Sequence, residues 1–452
     1  MKTENGKLKK YKLGEYIDSF GDGIHGTPNY DEKGEYYFIN GNNLKDGQLN
    51  ITEDTLKISS NEYSKIKRRL IPNNTILVSI NGTLGNVALY KSENIALGKS
   101  ACYLNLKDSS FRFFLRYLLK TKEFKNYMNR VAGQSTIKNV SPTQISEYEF
   151  FAPPLESQQK IAAVLSALDD KIALNNRMNA KLEQMAKRLY DYWFVQFDFP
   201  VSCHSELVSE SHSDEMLNQV QHDECANPYK STGGKMVWNE ELKREIPEGW
   251  EVKKLGELFT TNRGVSYSTK TITGDIGIPM INLASFSPDG SYKIDGIKIY
   301  TGEYTEEKVL KPFDLVMCNT QQTAIDFSKD IIGKALLVPD IFEGDITSSH
   351  HVNTLKVHNE KLKFYLYRLF NTDYFHAYIS HFASGTNIMG LDFAGVENYS
   401  AVIPSEEILS KFADFTLDIE KKKSEIIREN KKLISLRDRL LPLLMNGQVE
   451  VK

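Results

Sequence analysis

Long hydrophobic runs are missing from this 452-residue sequence. No stretch approaches the ~20 apolar residues that would span a bilayer, which excludes a helical membrane protein. The opening Met1–Lys10 has a basic run but no apolar segment behind it, so no secretory leader is expected. Cysteine is scarce. The four, at 102, 203, 225 and 318, have no paired spacing and read as reduced thiols of a cytoplasmic protein. Cys203, His204, His222 and Cys225 lack the two closed knuckles of a zinc site, and no metal is expected. Excess positive charge is missing too: the net charge is −3. A free-standing, non-specific DNA binder would be more basic. Any nucleic-acid contact must therefore be local, or partner chains must add phosphate contacts.

Catalytic signatures are equally scarce. No G-x-x-x-x-G-K-[ST] loop occurs. Gly21–Gly26 matches G-x-G-x-x-G in letters, but Pro28 follows at once and no βαβ pattern surrounds it. Asn227-Pro-Tyr229 lacks the second proline of an amino-methyltransferase motif. Pro339-Asp340 has no acidic-x-Lys partner, and His350, His351 and His358 lack the pattern of a metal nuclease. These gaps predict a non-catalytic chain with no cofactor of its own.

What the sequence does have is a large internal repeat. Lys12-Leu-Gly-Glu15 returns as Lys254-Leu-Gly-Glu257. Phe111–Leu118 falls on Leu362–Leu369, and the same offset carries Phe124 onto Phe375, Tyr127 onto Tyr378, Ile137 onto Ile388, Asn179 onto Asn430 and Leu189 onto Leu440. Each half is a globular unit followed by a long helix. The 23 Tyr and 23 Phe argue against disorder over most of the length. Thr75–Ile80 and Val87–Tyr90 read as short strands, as do Asp314–Cys318 and Lys334–Val338. Phe111–Tyr127 and Leu362–Tyr378 each read as one helix, giving an α+β class.

After each unit comes a seam of threes and fours: 161, 165, 168, 172, 175, 179, 182, 186 and 189 in the first copy. The second runs through Phe412, Phe415, Ile419, Ile426, Asn430, Leu433 and Leu440. Two unrelated amphipathic helices would also give two seams. Their length and the Asn in each favour mutual pairing, because a seam Asn fixes register. The expected boundaries are 1–152 for the first globular unit, 153–200 for the first helix, 201–235 for a polar insert that does not repeat, 236–403 for the second unit and 404–452 for the last helix.

Pro153-Pro-Leu-Glu-Ser-Gln-Gln-Lys-Ile161, Leu165–Ile172 and Leu189-Tyr-Asp-Tyr-Trp-Phe-Val-Gln-Phe197 resemble the central conserved region of type I restriction–modification specificity subunits. Ile246-Pro-Glu-Gly-Trp250 with Lys254-Leu-Gly256 resembles the opening of a target-recognition domain, and Leu433–Gly447 the usual C-terminal end. The resemblance covers nearly the whole chain outside the insert. It implies two similar α/β target-recognition domains joined by two long antiparallel coiled-coil helices. Each domain would read one half of a bipartite target in double-stranded DNA. Two modification subunits carrying S-adenosylmethionine and restriction subunits using ATP and Mg would be the partners. Alternatives are a specificity half of a fused or split restriction–methyltransferase, a coiled-coil scaffold and an inactive relic. The insert departs from the pattern, which implies either a looser connection to the second unit or impaired assembly.

Candidate DNA contacts follow from residue type. Lys65, Lys67, Arg68 and Arg69 form the densest basic cluster of the first unit and suit phosphate contact, or an ordinary solvated face. Thr83 lies in the turn Asn81–Gly85. Its counterpart Asn319–Thr323 holds Asn319, Gln321 and Gln322, types that pair bidentately with adenine. Gln134, Ser135 and Thr136 fall on Gly385, Thr386 and Asn387, and the resemblance places such a loop facing DNA. His350 and His351 align loosely with Lys99 and Ser100, and Arg263 is a further candidate.

Overall fold

Thr75–Ser79 reads TILVS with every side chain buried, and Leu315–Cys318 reads LVMC likewise. A strand buried on both faces must lie between two layers. Ile76 and Val78 enter one core while Leu77 enters another; Leu315 and Met317 separate from Val316 and Cys318 in the same alternation. The computed structural model describes residues 8–451 except 46, 134–137, 203–225, 273–275 and 323–329.

The chain divides into two units, 1–174 with 430–452 and 175–429. In the first, an antiparallel sheet runs in the order Ile17–Asp22, Ala101–Leu106, Thr75–Ser79, Val87–Tyr90. In the second the order is Phe259–Arg263, Val352–Val357, Leu315–Cys318, Ala335–Leu337. The repeat in the sequence is thus a repeat of topology. Cys102 and Cys318 are buried free thiols inside these sheets. Burial pushes both thiol pKa values up, Cys318 to about 12, so neither is a nucleophile at neutral pH.

The segment expected as one helix per unit is two. Arg112–Leu118 ends before Thr121, whose side chain accepts from Phe124 N and starts Lys122–Val131. Thr372 does the same between Leu362–Phe370 and Asp373–Ser380. A threonine side chain that caps a new helix competes with continuation of the old one.

The long helices are Leu155–Tyr190 and Glu406–Met445. They pair antiparallel within each unit. In the second, Asn175 donates to Glu429 Oε2 at 2.7 Å, Lys423 to Glu183 at 2.6 Å, and Phe412 meets Tyr190. In the first, Arg437 donates to Asp169 at 2.9 Å, and Leu444 packs with Ile161 and Leu165. The predicted seam of the central helix is buried or half-buried throughout. In the C-terminal helix one position changes: Phe415 is exposed and Thr416 takes the seam.

The insert has a closed root. Pro200–Ser202 pairs antiparallel with Ala226–Pro228, Phe199 stacks on Tyr229 at 4.6 Å, and the Asp198 carboxylate accepts from Ser231 N and Oγ, both at 2.7 Å. Residues 203–225, with the four Cys and His considered for zinc, lie outside the described residues. A two-residue turn suffices between adjacent antiparallel strands. Replacing 203–225 with Asn-Gly is expected to leave the melting temperature within about 2 °C of the parent. A drop of more than about 5 °C in calorimetry would show that the insert carries fold-stabilising contacts.

Candidate nucleic-acid interface

In the second unit the edge strand Phe259–Arg263 runs into Gly264. A Cβ there would lie 2.2 Å from Ser348 O, so only glycine allows the approach. The approach lets Val265 N donate to Ser348 O at 2.7 Å and His350 N to Val265 O at 2.8 Å. Arg263 is thereby set beside the loop before strand Val352–Val357, and its Nε donates to His350 O at 2.8 Å. The His350 and His351 rings are 3.9 Å apart, with Tyr267 5.3 Å from His350 and Lys298 over Tyr267. Thr320 Oγ1 hydrogen-bonds His351 Nδ1 at 2.7 Å. Burial pushes the His351 pKa down, and the neighbouring His350, Arg263 and Lys298 add to it, so the ring is neutral at pH 7.

A small sheet joins this cluster. Thr320–Gln322 pairs with Ile388–Leu391, which pairs with Ala383–Ser384. Thr386 and Asn387 sit exposed in the connecting turn. The fold brings Arg263, His350, His351, Asn319, Gln321, Gln322, Thr386 and Asn387 to one end of the unit. Their roles separate by burial. Asn319 is 8% exposed and Gln321 4%. Asn319 Nδ2 donates to Asn353 Oδ1 at 2.7 Å, and Gln321 Oε1 accepts from Ile331 N at 2.7 Å. In this structure these two amides face inward and hold the loops from inside. Gln322 lies in the strand opposite Ile388.

The first unit repeats the junction. A Cβ on Gly23 would lie 2.1 Å from Gly98 O, and Ile24 N donates to Leu97 O. Ile24 bridges Gly98 as Val265 bridges Ser349, so Lys99 and Ser100 stand where His350 and His351 stand. Lys99 is exposed. Asn81 bridges Asn139 as Thr320 pairs Gly390, and Thr83 is exposed in the adjoining turn. The basic cluster splits. Arg68 is half-buried and donates to Asp22 O at 2.9 Å and Gly23 O at 3.4 Å, so it braces the junction. Lys65 pairs with Glu62 at 3.0 Å, whereas Lys67 and Arg69 are exposed without a side-chain partner among the described residues. Gln134, Ser135 and Thr136 lie outside the described residues. Tyr267, Lys298 and Asn353 carry no motif and join the site only through the fold.

Among the described residues no group of three or more His, Cys, Asp or Glu is placed to hold a metal ion, and no helix is long and apolar enough to cross a membrane. A family model described as "Type I restriction modification DNA specificity domain" matches residues 5–184 and 247–429. The chain belongs to the type I restriction–modification DNA specificity family. Similar relatives of this specificity chain include the MjaIX specificity subunit of Methanocaldococcus jannaschii, 28% identical over 90% of this chain and 83% of that one. The HindI specificity subunit of Haemophilus influenzae is 27% identical over 74% and 77%. In fold it is similar to the type I restriction–modification S subunit from M. genitalium, with a TM-score of 0.55, 16% identity and 98% of both chains covered. The two matched stretches are the two halves of the sequence repeat, each a recognition unit with part of a long helix.

Proposed function

We propose that this specificity subunit assigns one half of a bipartite DNA target to each recognition unit, with the paired helices setting the half-site spacing and docking two modification subunits. One observation carries the reading: the same glycine-closed strand junction occurs twice and presents different side chains, Lys99 and Ser100 in one unit and His350 and His351 in the other. A common scaffold with exchanged tips suits two readers of different sequence. The chain is a non-catalytic specificity subunit. S-adenosylmethionine, and ATP with Mg2+, belong in this reading to the modification and restriction subunits. Arg263, His350, His351, Thr386 and Asn387 serve one half-site; Lys99, Thr83, Lys67 and Arg69 serve the other.

The test is modified-base sequencing of DNA from cells expressing this chain with its modification subunit. A split, asymmetric methylated motif that disappears with the chain is expected. Arg263→Ala should lower methylation about 5–150-fold or relax bases in one half-site only, given about 1–3 kcal/mol for a base contact. Equal relaxation of both half-sites would refute the division of labour.

A further inference from the structure

Each unit buries an arginine that its DNA-facing end does not use. In the first, Arg116 on helix Arg112–Leu118 donates to Asp169 Oδ2 of the central helix at 2.7 Å. Tyr117 Oη donates to the same oxygen at 2.6 Å, and Arg437 of the C-terminal helix takes Oδ1 at 2.9 Å. In the second, Arg368 on helix Leu362–Phe370 donates to Glu420 of the C-terminal helix at 3.0 Å and to Glu183 of the central helix. Lys423 bridges the two carboxylates at 2.6 and 3.0 Å. The sequence offset that carries Phe111 onto Leu362 carries Asp169 onto Glu420. It carries Arg116-Tyr117 onto Tyr367-Arg368, the reverse order, yet the guanidinium meets the matched carboxylate in both. Each guanidinium also lies over its neighbouring tyrosine ring, at 4.4 and 4.5 Å.

Such clusters are poor stabilisers. Burying the ions costs several kcal/mol each, and apolar replacements are often as stable. Arg116 Nε and Arg368 Nε are buried without a hydrogen-bond partner, which adds to the cost. What a guanidinium shared between carboxylates supplies is direction. An apolar seam tolerates rolling and sliding, because dispersion and burial are non-directional; a forked charge-assisted bond does not. We infer that Arg116–Asp169–Arg437 and Arg368–Glu420–Glu183 are positioning clamps that fix each reader's angle on the helical pair and so make the subunit reject wrongly spaced half-sites. The inference rests on the bipartite reading proposed above. Its magnitude is geometric: one added base pair moves a half-site by about 3.4 Å and turns it by about 35°. A reader free to roll on its helices absorbs that change, and a clamped one does not.

The experiment is the same methylation sequencing, with targets sorted by spacer length, together with thermal melts of the purified subunit. Arg368→Lys keeps the charge but reaches one carboxylate instead of two. It should leave the half-site bases unchanged and raise methylation at spacers one base pair too long or short by about tenfold relative to the proper spacer, within the range of single couplings. Asp169→Asn and Arg437→Gln should do the same through the first clamp. A folded variant with an unmoved spacing profile overturns the inference while leaving the bipartite reading intact, and so does the failure of all three to fold. A parent chain that directs no split motif overturns both.

Discussion

Phe412→Ala is expected to lower the melting temperature of the second unit by roughly 10 °C. Phe412 is fully buried where the C-terminal helix meets the end of the central one. Its ring lies 4.8 Å from Phe194, 5.8 Å from Trp193 and 6.3 Å from Tyr190, centroid to centroid. These neighbours are themselves pinned by Trp250 and Tyr365, so they cannot collapse into the space left. A buried Phe→Ala change costs about 3–5 kcal/mol when the site cannot relax. For a unit of about 250 residues each kcal/mol shifts the melting temperature by about 2–4 °C. Phe415→Ala is the control. The sequence pattern puts both phenylalanines in the seam, but Phe415 is 42% exposed, so its loss should cost under about 0.5 kcal/mol. Calorimetry of the two variants decides; equal shifts would mean that the seam does not run through Phe412.

Acid should dismantle the second unit partly through Glu183. Burial pushes this carboxyl up, but Arg368 and Lys423 outweigh it and hold its pKa at about 2, below the ordinary 4.5. A carboxylate with a depressed folded pKa contributes stability that is fully present above its unfolded pKa and lost as pH falls through the folded one. The window is therefore pH 4.5 down to about 2, and the loss is of order 3 kcal/mol. Glu183→Gln should be less stable than the parent at pH 7, because Arg368 loses a charged partner, and the difference should shrink steadily below pH 4.5. Denaturant midpoints at pH 7, 5, 4 and 3 measure this. Parallel curves for parent and variant would exclude Glu183 as the group responsible. Asp169 shifts in the same direction: burial raises its pKa, but Tyr117, Arg437 and Arg116 together lower it, so the first unit shares the trend.

The central-helix seam was legible because period and burial follow one rule: residues three and four apart share a face. The same rule misplaced Phe415, since a large apolar residue adjacent to a seam position reads as part of it until the partner's surface is known. The split of each reader helix at Thr121 and Thr372 was written in the sequence as a cap, but an apolar pattern running through it masked the signal. Asn319 and Gln321 have the right chemistry for adenine. Whether an amide faces water or the interior depends on neighbours such as Asn353 and Ile331, which no local pattern predicts.

By itself the sequence determined the duplication, the two long helices with their seams, the family resemblance and the lack of catalytic motifs. All are carried by residue order, periodicity and short motifs. Only the tertiary structure decided which candidate residues meet. Gly264 and Gly23 close their junctions against backbone from strands some 75 or more residues away, and Arg437 reaches Asp169 across 268 residues. Charges so far apart carry no periodic signal. They become partners only when two helices pair and a reader packs on them, because hydrogen bonds and ion pairs act over a few ångströms of space and take no account of distance along the chain.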